Sequence, residues 1–323
     1  MAATRNSPST DLPKRVGAFL AARLAPDAPL SVGLSGGCDS VVLLHVLAGL
    51  KRAGPLQAIH VHHGLSPNAD AWAAFCSDYC HRLGVPLAIR HVDVAAGSGL
   101  GLEAAARNAR YAAFAELAEG NLLLAHHRGD QAETVLFNLL RGAGVTGAAG
   151  IPVERSWNGL RLLRPLLDIP RRDIEAYAGA AGLDWINDES NTDTALTRNF
   201  LRHEALVGLS QRFPAAEASL AQAAANFAEA AALLDELAEF DWQQVGDGVS
   251  AKMTALRCLA LPRLKNLLRY RLRCLGWQVP VASRLEEFAR QLQGAAPDRH
   301  PELRLPDGRM QVAGRRLHWL PGK

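Results

Sequence analysis

With 323 residues, 49% hydrophobic and 21% charged, the chain has room for two domains and an ample core, and no run of 18 apolar residues or signal-peptide-like start argues for a membrane span or export. Five scattered cysteines, Cys38, Cys76, Cys80, Cys258 and Cys274, fit a reducing cytoplasm better than a disulfide framework. The net charge of +3 excludes a strongly basic or acidic chain, but it is unevenly placed: residues 252–323 hold 15 Lys/Arg against 5 Asp/Glu, and residues 201–251 hold 2 against 8.

In chain order, LSVGL, LQAIHVHH, LAIRHVDV and NLLLAHH read as short buried strands. Between them SVVLLHVLAGLKRAG, ADAWAAFCSDYCHRLG and GLEAAARNARYAAFAELAEG have helical periodicity and close on Gly. Strand–helix alternation predicts an α/β fold, a Rossmann-like parallel sheet flanked by helices over residues 1–213. Such sheets bind ligands at the carboxyl ends of their strands. Cys76 and Cys80, at helical spacing, read as a buried pair, with half a metal site as the alternative.

The Ala-rich, Gly-free stretch after Pro214 predicts a connecting helix within a 214–250 segment. Residues 251–323 form a second, mostly helical module, with Pro262 at a helix start or kink and a terminal hairpin around PDGR. Its balance of +10 over residues 252–323 points to a polyanionic partner, or simply to a solvated basic face.

The first strand runs into Ser35-Gly36-Gly37-Cys38-Asp39-Ser40 and then a helix, the layout of a phosphate loop. Two glycines let the backbone approach an anion closely, and two hydroxyls stand beside it. The Lys of a Walker loop is absent. Asp39 would be repelled by bare phosphate, so it implies a cation between them, most simply Mg²⁺. A loop that grips pyrophosphate without a Lys for the γ-phosphate suits cleavage of ATP between the α- and β-phosphates.

Farther along, Asp130 and Glu133 are three apart in the first turn of GDQAETVLFNLL and share one face. Each could hold Mg²⁺, bind an ammonium or accept its proton, and acidic residues there also simply complement the helix dipole. His126 ends a strand at the same edge and could polarise phosphate or a reacting base, whereas His127 reads as packed or exposed. Arg107 and Arg110 share a helix face and could clamp phosphate, or bridge to Glu103. RGAGVTGAAG, from Arg141, reads as a stretch too mobile for core and as a flap near a nucleic-acid backbone. Arg198 and Arg202, four apart in RNFLRHE, are candidates for phosphate contacts.

SGGCDS resembles the PP-loop of the N-type ATP pyrophosphatases. HHRGDQAET followed by RGAGVTG resembles the tRNA(Ile)-lysidine synthetase family within it, as do HVHHGL at 60–65, EAAARNARY at 103–111, RPLL, DESN at 188–191 and RNFLRHE. The resemblance covers roughly residues 30–213 and thins beyond. Two positions depart from the family pattern: Gly129 stands where many members have a second Asp, and Ala148 where Leu is common.

The resemblance implies an ATP- and Mg²⁺-dependent cytoplasmic ligase. It would adenylate the C2 oxygen of the wobble cytidine in the CAU anticodon of tRNA(Ile), and the ε-amine of L-lysine would displace AMP to give lysidine. Ser35 to Ser40 would hold ATP; Asp39 and Asp130 the metal; Asp130 and Glu133 would receive lysine; Arg107 and His126 would offset charge; and Arg141, Arg198 and Arg202 would meet RNA. The basic segment would grip tRNA. A flipped base calls for a pocket, for which Trp157 and Trp185 are stacking candidates, or else core. A homodimer is a fair expectation, and a further C-terminal domain of the longer family members is expected to be missing. A thiolase of the same superfamily would need paired cysteines, commonly CxxC, which the chain lacks. An amidating synthetase would have no use for the basic tail, and a non-catalytic RNA-binding relative would not keep Asp39, Asp130 and Glu133.

Overall fold

The computed structural model describes residues 8–94, 102–188, 197–296 and 299–322. Two compact units divide the chain, Met1–Phe227 and Ala228–Lys323.

The first unit starts with α1 (Pro8–Ala21), then alternates β1 (Leu30–Gly33), α2 (Cys38–Gly49), β2 (Leu56–His62), α3 (Ala69–Leu83), β3 (Leu87–His91), α4 (Leu102–Leu117), β4 (Asn121–Leu123) and α5 (Arg128–Leu140). A short α6 (Val145–Ala148), β5 (Glu154–Trp157), β6 (Leu160–Leu163) and α7 (Arg171–Ala180) follow. The six strands lie in the order β3-β2-β1-β4-β6-β5, all parallel except β5, which runs antiparallel to β6. Val32, Leu122, Leu123, Leu162 and Leu163 are fully buried, as the central strands of a sheet covered on both faces must be. Helix α2 carries Val41, Val42, Leu43, Leu44, Val46 and Leu47 in the same core, apolar around most of its circumference because it packs inside the unit.

This strand order places the site. From β1 the chain steps one way to β2 and β3, then returns to lay β4 on the other flank of β1. The carboxyl ends of β1 and β4 therefore diverge at a topological switch point, where open α/β sheets form a crevice. The phosphate-loop sequence follows β1, and His126-His127 follow β4.

The sequence expectations needed two corrections here. The hairpin β5–β6 was not anticipated; its turn residues Asn158 and Gly159 have positive φ, 46° and 79°, as a tight two-residue hairpin turn requires. RGAGVTGAAG is not loose either. Asn138 Nδ2 donates to Gly147 O at 2.7 Å, Gln131 bonds both the N–H and C=O of Ile151, and Ala148 is buried.

After α7 come α8 (Thr197–Phe200), a π-helical turn at Leu201–Ala205, α9 (Leu206–Arg212) and the long α10 (Ala216–Val245), within which the division between units falls. The second unit has β7 (Ser250–Lys252), α11 (Met253–Cys258), α12 (Leu261–Cys274), α13 (Ala282–Gly294), β8 (Glu302–Leu305), β9 (Gly308–Ala313) and β10 (Arg316–Pro321). Pro262 sits in the first turn of α12, where its missing N–H costs nothing. Leu264, Leu267, Leu268 and Leu272 on α12 and Leu285, Phe288, Ala289 and Leu292 on α13 form helical stripes buried against Met310, Val312, Leu317 and Trp319. The terminal hairpin belongs to a four-stranded antiparallel sheet, β7-β10-β9-β8, larger than the sequence implied. Among the described residues no helix is long and apolar enough to cross a membrane.

Candidate functional site

The loop between β1 and α2 is braced from within. Ser40 Oγ accepts from Ser35 N at 3.2 Å, donates to Gly37 O at 2.9 Å and lies 3.1 Å from Ser35 Oγ. Gly37 N donates to Ser35 Oγ at 3.3 Å. The hydroxyls thus hold the backbone curve in place, and the N-terminus of α2 opens at its mouth with Gly37 as N-cap. Gly36 has φ +87°, and a Cβ there would lie 2.3 Å from Ile186 Cδ1. It must be Gly both for its left-handed conformation and because Ile186, whose N–H donates to Gly36 O at 2.9 Å, packs directly over it.

Asp39, in the first turn of α2, keeps one oxygen, Oδ1, buried with no hydrogen-bond partner. Burial raises its carboxyl above the ordinary 3.8, against the opposing pull of His127 and Arg171. Cys38 beside it is buried, which pushes its thiol up to about 12. It stays protonated and offers the site only its backbone. Cys76 and Cys80 are buried too, pushed up to about 12 and about 11.

At the end of β4 the helix α5 begins with a reciprocal cap. Asp130 Oδ2 accepts from His127 N at 2.9 Å, and His127 Nδ1 accepts from Asp130 N at 3.4 Å. Because Nδ1 is the acceptor, the ring proton resides on Nε2. That atom lies 3.8 Å from both Asp39 Oδ2 and Asp130 Oδ2. One buried imidazole therefore stands between the carboxylate of the β1 loop and that of the β4 loop. Gly129 makes room for it, since a Cβ there would meet His127 Cε1 at 2.8 Å.

Arg202 completes the cluster. Its Nε donates to Glu133 Oε1 at 2.5 Å, and one Nη donates to Asp130 Oδ1 at 2.9 Å and Glu133 Oε2 at 3.1 Å. Arg202 sits on the π-helical turn, a backbone irregularity that recurs at functional sites. Burial raises the Glu133 carboxyl, and the hydrogen bond from Arg202 only partly offsets this. Burial would raise Asp130 as well, but His127, His126, the His127 N–H and Arg202 outweigh it and hold Asp130 below 3.8. The two carboxyls thus diverge, the situation in which neighbouring acids take different roles.

His126 points its buried Nδ1 at no partner, and burial lowers the ring to about 4, with Arg164 and Arg107 lowering it further against Asp130. It is neutral at physiological pH. Arg107 stacks over Tyr111 at 5.3 Å. The buried Arg164 of RPLL donates to Pro152 O at 2.7 Å.

The loop residues, Asp39, Asp130 and Glu133 are thus brought to one crevice, with Arg107 and His126 flanking it. Arg141 and Arg198 are exposed on α5's end and on α8, and Arg202, read from sequence as an RNA contact, is turned inward to the carboxylates. Trp157 packs edge-on against Tyr111 and Trp185 against the main core, so both take the core role. Of DESN only Asp188 lies among the described residues, and the Glu103 side chain offered to Arg107 lies outside them. Sequence reading passed over His127, whose signal was its place as N-cap before Asp130, and Arg171 and Glu217, for which no local signal exists. His127, Glu133, Arg171, Arg202 and Glu217 line one cavity of about 480 Å³.

A divalent cation fits these residues. Among the described residues no cluster of three or more His, Cys, Asp or Glu could hold a metal alone. Mg²⁺, however, is usually held by one or two carboxylates plus substrate phosphates, and the unpartnered Asp39 Oδ1 at the loop mouth is such a ligand.

Residues 8–209 match the family model described as PP-loop domain, and residues 252–318 that described as TilS substrate binding domain. The chain is 44% identical over 319 residues to the tRNA(Ile)-lysidine synthase of Alkalilimnicola ehrlichii, covering 98% of this chain and 72% of that one. It is 47% identical over 281 residues to that of Chromobacterium violaceum, covering 86% of this chain and 65% of the relative. The chain thus spans about two thirds of the length of the Chromobacterium protein. A structure of the U34-tRNA thiolase NcsA from Methanococcus maripaludis with its 4Fe–4S cluster has a TM-score of 0.57 at 18% identity, over 69% of this chain and 79% of that one, a likeness of fold alone.

Proposed function

The chain belongs to the tRNA(Ile)-lysidine synthase family of ATP-dependent ligases, and from that premise we propose that it joins L-lysine to the wobble cytidine of a tRNA(Ile) with a CAU anticodon. ATP lies with its phosphates on the loop Ser35–Ser40, whose backbone N–H groups and helix N-terminus receive the pyrophosphate. The cytidine C2 oxygen attacks the α-phosphorus, the bond to the bridging oxygen breaks, and pyrophosphate leaves. Asp39, with Asp130 behind it, would hold Mg²⁺, which supplies charge neutralisation to the phosphates when bound. Arg107 offsets negative charge from the side of β4 while His126, neutral, donates or accepts without adding charge.

In the second step the ε-amine attacks C2 and AMP leaves with its oxygen. Asp130, held ionised, attracts the incoming ammonium; Glu133, with its carboxyl raised by burial, is the better acceptor for the proton that must leave before the amine can attack. Arg202 keeps both carboxylates oriented. Arg141 and Arg198, on the surface, together with the basic segment 252–323, are assigned to RNA phosphates. On this reading ATP chemistry belongs to a catalytic domain of residues 1–213 and tRNA gripping to residues 251–323, with a connecting helix region at 214–250 between them.

The single observation that carries this reading is the convergence of Asp39, Asp130 and Glu133 on one crevice around His127 and Arg202. The test incubates the protein with unmodified tRNA(Ile) CAU transcript, ATP, Mg²⁺ and labelled lysine, then analyses the nucleosides by mass. Lysine-dependent mass on cytidine is expected; ATP split to AMP with unlabelled RNA would contradict the assigned acceptor. Sedimentation of the same preparation reads whether two chains pair, as a homodimer requires.

A further inference from the structure

The reaction as described leaves Arg164 unused, and its surroundings are unusual for a buried cation. It follows β6, whose carboxyl end lies beside that of β4, and it is only 3% exposed. Among the described residues no carboxylate pairs with it: one Nη donates to Pro152 O at 2.7 Å, the guanidinium is hydrogen-bonded to the Tyr111 hydroxyl, and Nε is buried with no partner. The charges that lower its hold on the proton, after burial, are those of two further arginines, Arg107 and Arg155. A buried cation without a counter-ion opposes folding, and the exposed Pro152 could be held by a neutral side chain. An arrangement that costs stability in this way persists where the charge is used.

The neighbours of Arg164 show where. Arg107 and Tyr111 stand four apart on α4, so one helix face carries both. The Tyr111 ring is set edge-on against Phe114, at 6.2 Å between centroids, and against Trp157, at 5.3 Å. Arg107 lies over that ring at 5.3 Å. Tyr111 is therefore gripped by aromatic edges along its ring and by Arg164 at its hydroxyl. Arg107 and Arg164 both act by charge on His126 at the end of β4, so all three groups meet at the crevice.

Resting on the adenylating-ligase reading, we propose that Arg164 is the positioning residue of Arg107: it pins the Tyr111 ring on which Arg107 lies, and its unpaired charge turns the exposed Arg107 guanidinium outward to the phosphate under attack. An arginine left to itself samples many rotamers and must be ordered at each turnover. One held over a fixed ring, with a like charge behind it, is already placed for the negative charge that develops on the α-phosphoryl oxygens. Arg164 itself touches no substrate and serves only the first step.

The experiment is a double-mutant cycle on pyrophosphate release from ATP with tRNA(Ile) CAU transcript and no lysine, expressed per folded molecule from a thermal melt. Arg107→Ala should lower kcat about 10²-fold. Arg164→Met should lower it about 10- to 50-fold with the KM for ATP within about twofold, the signature of an interaction made in the transition state. Arg164→Lys, which keeps the charge but not the planar fork, should fall between Arg164→Met and wild type. The double variant should be no slower than Arg107→Ala alone, within about twofold, because one side chain acts through the other. A merely structural arginine would instead multiply the two losses, to about 10³-fold or more, and that result overturns the inference. If Arg164→Met does not fold, Tyr111→Phe takes its place in the cycle: it keeps the ring and loses the hydroxyl, and its loss of about three- to tenfold should vanish in the Arg107→Ala background. An unchanged kcat in whichever of the two is used also overturns the inference. Arg107→Ala at the wild-type rate overturns it together with the role given to Arg107. Wild type that releases no pyrophosphate overturns the reading on which the inference rests as well.

Discussion

The two units treat their acidic residues differently. In the second unit each described acid in an ion pair has its own base: Asp241, fully buried, takes both Arg263 Nε and Nη, Asp235 takes Arg273, Asp247 takes Arg316, and Glu286 sits between Lys265 and Arg290. The first unit has such pairs too, Arg15–Asp168, Arg90–Glu116 and Arg161–Glu154 among them, but at its crevice Asp39, Asp130 and Glu133 crowd around His127 and Arg202, and one Asp39 oxygen has no partner. Matched pairs hold a fold together. An under-compensated buried cluster opposes folding and persists where a ligand completes it.

That contrast can be broken by exchanging Asp for Asn in each unit. Asp39→Asn should lower adenylation by at least about 10²-fold, measured as pyrophosphate release, while leaving Tm unchanged or higher. The sign of its pH dependence follows from burial. A carboxyl raised in the folded state makes the native form bind its proton more tightly, so its contribution favours folding below the ordinary value of 3.8 and is lost as pH rises through the raised value. The stability gap between Asp39→Asn and wild type should therefore widen upward through that window, read by thermal melts at stepped pH. Asp241→Asn should do the opposite, lowering Tm by about 5 °C because it strands Arg263 beside a buried amide, with pyrophosphate release per folded molecule unchanged.

Smaller effects sharpen the same comparison. Arg299 and Arg309 are exposed and belong to none of the ion pairs above. Neutralising both should weaken tRNA binding by roughly two- to tenfold and flatten its salt dependence by up to about two in log–log slope, as phosphate contacts do. Filter binding across a salt series checks this. Cys38→Ala should change lysine transfer by less than about twofold, since a thiol pushed up to about 12 takes no part in chemistry at neutral pH.

What was legible in the sequence divides along physical lines. Strands β1 to β4 are apolar runs bounded by turns, and the helices between them keep their period, so local pattern sufficed. Strands β5, β6 and β7 are only three or four residues long, β5 and β7 mostly polar, too short for a pattern to declare itself even though Asn158-Gly159 marked the turn. Asp39, Asp130 and Glu133 stood out because their neighbours formed motifs. Between adjacent His126 and His127 the one signal was His127's place as N-cap before Asp130; the space left by Gly129, which with that reciprocal cap turns its ring to the carboxylates, shows only in three dimensions. Arg202 meets partners 69 and 72 positions away through a π-helical turn, a contact that no local spacing encodes.

The most direct test of the central account separates the two carboxylate roles in one reaction. Wild type, Asp39→Asn and Glu133→Gln are each given tRNA(Ile) CAU transcript and ATP, with and without lysine, and pyrophosphate release and lysine incorporation are measured together. The account predicts that Asp39→Asn loses both, whereas Glu133→Gln still releases pyrophosphate and accumulates adenylated RNA but incorporates little lysine. Equal loss of both activities in Glu133→Gln, or lysine transfer at the wild-type rate, would contradict it.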